Sequence, residues 1–273
     1  MSSPCPLLSA SSASLGGSAL DLCQPAVLPI RQSTWTPEEL IASGGPDPRA
    51  LPLGAAVREA LHGSLWHSLS SEYDARHLSA FLRASGLGLS DAFWALERAW
   101  ASDEYKHYRA LRWLYSRVYA VEERELDARL AQRQPDFAPL LPLLRDEFSL
   151  CVVLAFDELA SARSYARDRV RFRPLGSTAV RLLHCAARDE FWHCRNALDL
   201  LRARHSDRLS EVHALLARVI AHDTSPQFRY GATFLLDQSL DPQHGDLDEA
   251  FLHDCGERVE TYLFSKGKPP CSW

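Results

Sequence analysis

The chain has 273 residues, 46% hydrophobic and 24% charged, with 30 Lys and Arg against 35 Asp and Glu for a net charge of -5. This composition excludes a collagen-like or wholly disordered chain, and no apolar run reaches the roughly 18 residues that a membrane span needs. No dense basic face marks a nucleic-acid partner, and Cys5, Cys23, Cys151, Cys185, Cys194, Cys255 and Cys271, without a CxxC pair, suit reduced thiols in a cytoplasm.

Residues 1–54 read as a disordered or loop-rich leader. The first 30 hold seven serines and one charged residue, Asp21, and eight of the sixteen prolines precede Leu53. Residues 55–273 read as one all-α domain, because Leu89 to Gln134, Leu143 to Arg173 and Ser177 to Ser225 contain neither Gly nor Pro. The first helix is expected at about 56–85, where Leu61, Leu65, Leu69, Glu72, Ala75 and Leu82 form a stripe. The second, at about 90–121, carries Phe93, Leu96, Trp100, Glu104, His107, Leu111, Leu114 and Val118 on one face. The third, at about 139–171, carries Leu144, Phe148, Cys151, Leu154, Glu158, Ser161 and Tyr165. The fourth, at about 177–204, carries Ala179, Leu182, Ala186, Glu190, His193, Ala197 and Leu200. A shorter helix after Ser206 and an irregular or helical tail from Thr224 complete the expectation.

Four acids interrupt these apolar stripes, and an ionised carboxylate there is costly unless it is paired or binds a metal. Glu104/His107 and Glu190/His193 are Glu-x-x-His pairs. Three residues on a helix turn about 300° and rise about 4.5 Å, so both heads can reach one ion. Glu72 and Glu158 stand alone, and 104 minus 72 equals 190 minus 158, both 32, as though one helix hairpin occurs twice. One Glu from each of two helices and a Glu-x-x-His from each of two others is the constellation of ferritin-like carboxylate bundles. Four carboxylates and two neutral imidazoles balance two divalent cations, and these donors suit iron or manganese, of which iron is the redox-active choice.

The segment ERAWASDEYKH at 97–107 resembles the second core helix of the soluble acyl-carrier-protein desaturases. FDELAS at 156–161 resembles their third helix, AARDEFWH at 186–193 their fourth, and Glu72 in SSEYDARHL falls where their first ligand lies. The resemblance covers about residues 60–205. It implies a ferritin-like four-helix bundle with additional C-terminal helices, and two iron ions held by Glu72, Glu104, His107, Glu158, Glu190 and His193. It further implies an O2-dependent desaturase or hydroxylase acting on C–H bonds of an acyl or carrier-linked substrate, an external ferredoxin-type electron donor, and a homodimer. Asp103 and Asp189 are expected to orient a histidine of a neighbouring helix, Ser161 to assist at the oxygen side, and Trp100 to carry electrons or to pack. Tyr108 and Cys194 depart from the family pattern, which bears on the substrate more than on the metal. An iron-handling bundle without organic substrate, or a di-iron oxygenase acting on a non-acyl small molecule, remains as the other expectation.

Overall fold

The structure, a computed structural model, describes residues 28–45, 47–225, 235–236 and 248–265. Eight helices and no strand occur among them. A short helix, α1 (Pro37–Ala42), precedes four long or intermediate ones: α2 (Ala55–Ala84), α3 (Asp91–Tyr119), α4 (Glu123–Leu130) and α5 (Glu147–Arg171). Then come α6 (Ser177–Arg204), α7 (Val212–Asp223) and α8 (Glu249–Phe264). No helix among the described residues is long and apolar enough to cross a membrane.

Helix boundaries follow local chemistry. The Ser90 hydroxyl accepts from the Phe93 N–H at the start of α3, and α3 stops where Ala120 turns left-handed at φ 53°. Leu144 and the turn at Ala138–Leu140 lie outside α5, although the stripe suggested a helix from about 139. A closed capping box explains the later start: the Asp146 side chain accepts from the Ser149 N–H while the Ser149 hydroxyl accepts from the Asp146 N–H. Gly176, at φ 92°, makes the turn into α6, and a side chain there would press on Leu51.

The helices α2 and α3 pack as one hairpin, α5 and α6 as another, and α3 meets α6 where the hairpins join. The helices α7 and α8 lie against α5. The core is divided. One apolar cluster takes the α2 residues from Ala75 onward, α3 up to Trp100, α5 up to Ala160 and α6 from Cys194. The other takes α2 up to Tyr73, α3 from Tyr108, α5 from Tyr165 and α6 up to Ala187. Glu104, His107, Glu190 and His193 fall in that gap on α3 and α6, and Glu72 and Glu158, at the margins of the clusters on α2 and α5, join them in one polar layer with apolar packing on either side.

Residues 28–54 are mostly loop, with α1 and a 3-10 turn at Pro48–Ala50 inside them. The described part of the segment read as a leader is packed onto the domain: α1 contacts α3 and α6, and the Gly45 N–H donates to Thr178 Oγ1 at 3.1 Å. Residues 1–27, and the tail between 225 and 248 apart from Leu235 and Leu236, lie outside the described residues.

Candidate metal centre

Each long helix contributes its stripe acid to the polar layer. Glu72 comes from α2, Glu104 and His107 from α3, Glu158 from α5, and Glu190 and His193 from α6, all at 5% exposure or less. Their atoms form two overlapping groups that could each hold a metal ion, with the donor atoms of each group within 4.8 Å of one another. Glu72, Glu104, His107 and Glu190 make the first; Glu104, Glu158, Glu190 and His193 make the second. Glu104 and Glu190 belong to both, whereas Glu72 and Glu158 each serve one.

The imidazoles point the same nitrogen inward. His107 Nδ1 lies 3.3 Å from Glu72 Oε2 and 3.2 Å from Glu190 Oε1. His193 Nδ1 lies 3.2 Å from Glu104 Oε1, 3.2 Å from Glu158 Oε2 and 2.9 Å from Glu190 Oε2. The outer nitrogens cross between helices: His107 Nε2 faces Asp189 on α6 and His193 Nε2 faces Asp103 on α3, each at 3.3 Å. With a cation between the acids, a proton on Nε2 held by the aspartate would leave the Nδ1 lone pair for that cation.

The two single acids are held alike. Tyr165 donates its hydroxyl to Glu72 Oε1, and Trp100 Nε1 donates to Glu158 Oε1 at 2.7 Å. In each case one carboxylate oxygen is tethered and Oε2 is turned toward the histidine. Trp100, read from the sequence as an electron carrier or a packing residue, sits as a hydrogen-bond donor to a candidate ligand. Ser161 lies one turn past Glu158, half-buried, and belongs to neither group.

The donor set fits cations. Among the described residues, buried Glu72 Oε2, Glu104 Oε1 and His107 Nδ1 have no hydrogen-bond partner, although burying such atoms unsatisfied is costly. The titration of the cluster agrees. Burial, then the charges of Glu190 and Glu72, pushes Glu104 well above the usual carboxylate range. Burial, then Glu190, does the same to Glu158. Burial opposes a charge on His107, but Glu72 and Glu190 overcome it and raise its basicity. The neighbouring carboxylates of Asp103, Glu104, Glu158 and Glu190 do so at His193. Against burial, His107 and His193 hold Glu190 low. Protons on these groups supply the positive charge that four buried carboxylates demand, and metal ions would displace them.

A further set of residues was not legible from spacing. The Asp189 Oδ2 atom accepts from Trp35 Nε1 at 2.6 Å and from Ser33 Oγ at 2.9 Å. Lys106 Nζ is 2.6 Å from Asp103 Oδ1 and donates to Ser33 Oγ at 2.8 Å, and Gln32 Nε2 donates to Asp103 at 3.3 Å. The Trp35 indole lies parallel to the His107 ring, 10° between planes and 6.1 Å between centroids. Residues 32–35 therefore strap both outer aspartates. Against burial, His193 and then Lys106 hold Asp103 below the usual carboxylate range, and His107, then Trp35 and Ser33, do the same to Asp189. The one available signal was a lone tryptophan within a Ser/Pro-rich stretch and a single lysine in the middle of an arginine-rich chain.

Arginines alternate at the end of α5, at positions 167, 169, 171 and 173, and Arg167 and Arg171 make contacts within the domain. Arg167 stacks on Phe251, and Arg171 donates to the Ala60 carbonyl beside its ion pair with Asp168. The dipeptide His-Cys occurs twice, at 184–185 and 193–194, but His184 is exposed while His193 is buried, so the two do not share a site. No family model matches the chain, and no curated protein or solved structure matches it either.

Proposed function

We propose that the centre holds two divalent ions, iron in the working protein, and that the four long helices form a ferritin-like bundle whose activity is an O2-dependent oxidation of C–H bonds. The substrate class is acyl or a related organic molecule. Manganese would suit the same oxygen and imidazole donors. The observation that carries the reading is the pair of overlapping donor groups that share Glu104 and Glu190. Glu104 and Glu190, common to both groups, would help to hold both ions, and four carboxylates with two neutral imidazoles cancel the charge of two divalent cations.

Bound and reduced, iron would supply electrons for the reduction of O2, chemistry that side chains do not provide. The chain's own groups set the conditions for it. Glu72 and Glu158 would each help to hold one ion, with their Oε1 atoms fixed by Tyr165 and Trp100. Asp189 and Asp103 keep His107 and His193 in the tautomer that presents Nδ1. The apolar clusters on either side of the layer limit water around the acids, which strengthens the electrostatic interactions there. In the hydroxylation form, R–H, O2, two electrons and two protons give R–OH and water. In the desaturation form, a CH2–CH2 unit, O2, two electrons and two protons give CH=CH and two waters. The electrons are assigned to an external ferredoxin-type donor, because the sequence carries no flavin or nicotinamide fingerprint.

Elemental analysis of protein from iron-replete cells tests the metal: two iron atoms per chain are expected, and both are lost in Glu104→Ala and His193→Ala. Oxygen uptake by the reduced protein tests the class of activity. Consumption of O2 and reductant in proportion to an oxidised organic product supports the reading, whereas accumulation of ferric mineral without such a product identifies an iron-handling bundle. Absence of bound metal overturns both.

A further inference from the structure

The helices α2 and α3 do not close fully on one another. Between them lies a cavity of about 350 Å³ lined by Glu72, Ala75, Arg76, Ser79 and Arg83 of α2 and by Glu97, Ala101, Glu104 and Tyr105 of α3. On α2 these residues follow the i, i+3, i+4 steps of a single face. At 1.5 Å per residue the run from Glu72 to Arg83 extends about 16 Å along the axis. Ala75, Ser79 and Ala101 line it with small side chains. Arg83 closes the far end by pairing with buried Glu97 at 2.8 Å and 3.0 Å.

Three features give the cavity a chemical character. Its inner end is formed by Glu72 and Glu104, one acid from a single donor group and one shared by both, so a molecule inside it would lie beside the metal centre. Its outer edge carries Arg76, whose guanidinium lies 3.9 Å from the Tyr73 ring centroid and 5.1 Å from that of Tyr108 and whose Nε donates to the Tyr73 carbonyl. No carboxylate pairs with Arg76 among the described residues, unlike Arg83, Arg112 and Arg133, which all have acidic partners. The third feature is the buried Ser79 hydroxyl, which has no hydrogen-bond partner among the described residues and lines the wall. A positioned guanidinium whose terminal nitrogens have no acidic partner, set over aromatic faces, is suited to the two oxygens of a carboxylate.

We propose that this cavity is the substrate site and that it takes a small organic acid, the carboxylate on Arg76 and the carbon skeleton against Ala75, Ser79 and Ala101, directed at the Glu72/Glu104 edge of the metal centre. The volume lies near the lower end for small-molecule sites, which favours a short free acid over a long acyl chain. The proposal rests on the two-metal reading, since only neutralised Glu72 and Glu104 leave the inner end tolerant of an anionic guest.

The test uses the full chain loaded with Co2+, whose visible ligand-field bands report on the centre without turnover. Hexanoate, hexanamide and hexadecanoate are titrated, with binding read by calorimetry and by the cobalt spectrum. Hexanoate is expected to bind, to shift the bands, and to bind roughly tenfold or more tightly than hexanamide, while Arg76→Gln removes that preference and leaves cobalt content at two per chain. Ala101→Leu, which fills the cavity, is expected to abolish binding, with circular dichroism confirming its fold. Hexadecanoate is expected to gain nothing over hexanoate. If cobalt binds but hexanoate produces neither heat nor a spectral change, or binds Arg76→Gln unchanged, the substrate site is overturned and the metal centre stands. If cobalt itself does not bind, the two-metal reading falls first, and this proposal with it.

Discussion

His107 and His193 are each gripped at Nε2 by an aspartate from the opposite hairpin, and that aspartate sits one residue before a candidate ligand of its own helix. Two adjacent positions on each helix thus supply a candidate ligand and the partner of a histidine on the other hairpin. Replacing Asp189 with Asn keeps the shape but removes the charge that favours the Nε2–H tautomer, so metal affinity is expected to fall about 10- to 100-fold while the fold persists. A competition titration against a chromophoric chelator measures this, and unchanged affinity would show that the strap around Asp189 is purely structural. The six candidate ligands were legible from the sequence because each is a charge within an apolar stripe, a contradiction that only pairing or coordination resolves. Trp35 and Tyr165 were not legible as partners of the centre. Their hydrogen bonds join positions 154 and 93 residues apart, and no local period encodes such a contact.

At the level of elements, three of the four stripes marked their helices closely, since amphipathic periodicity and Gly or Pro boundaries coincide there. The early part of α5 was misjudged. Leu144 fits the stripe, but the reciprocal Asp146/Ser149 cap and Pro142 put the helix start at Glu147. Glu147 then ties three elements together: it accepts from the Ser90 N–H at the head of α3, from Arg204 Nε at 3.1 Å at the end of α6, and lies 3.0 Å from His205 Nε2. Burial works against its charge, but these partners hold its carboxyl below the usual range. A lowered folded-state value means stability that is present above the ordinary glutamate range and is lost as pH falls through it. Glu147→Gln is therefore expected to cost about 1 to 3 kcal/mol at pH 7. The gap between variant and parent should begin to close below about pH 4.5, the ordinary glutamate value, and vanish only below the lowered folded-state value. Urea unfolding at a series of pH values checks this, and a gap independent of pH would assign the effect to packing.

For the molecule as a whole, the polar layer divides the core into two apolar halves, so stability depends on what neutralises it. With metal chelated, the layer relies on protons. Glu104 and Glu158 are raised by burial and by neighbouring carboxylates, so the native state holds protons that the unfolded chain releases above about pH 4.3, and stability falls as pH rises from there. His107 and His193 are raised too, so their contribution is full below about pH 6.5 and declines as pH climbs through their folded values. Both effects have the same sign, and the chelated protein is expected to be more stable near pH 5.5 than near pH 8. The loaded protein should behave in the opposite sense, because ions that displace those protons bind more tightly as pH rises. At a free metal concentration about a thousandfold above the dissociation constant the linkage is about 4 kcal/mol, on the order of 10 °C in Tm for a chain of this size. Differential scanning calorimetry with and without chelator at the two pH values should show a Tm gap that widens toward pH 8. A gap that narrows, or no gap at all, would mean that metal ions do not neutralise the layer.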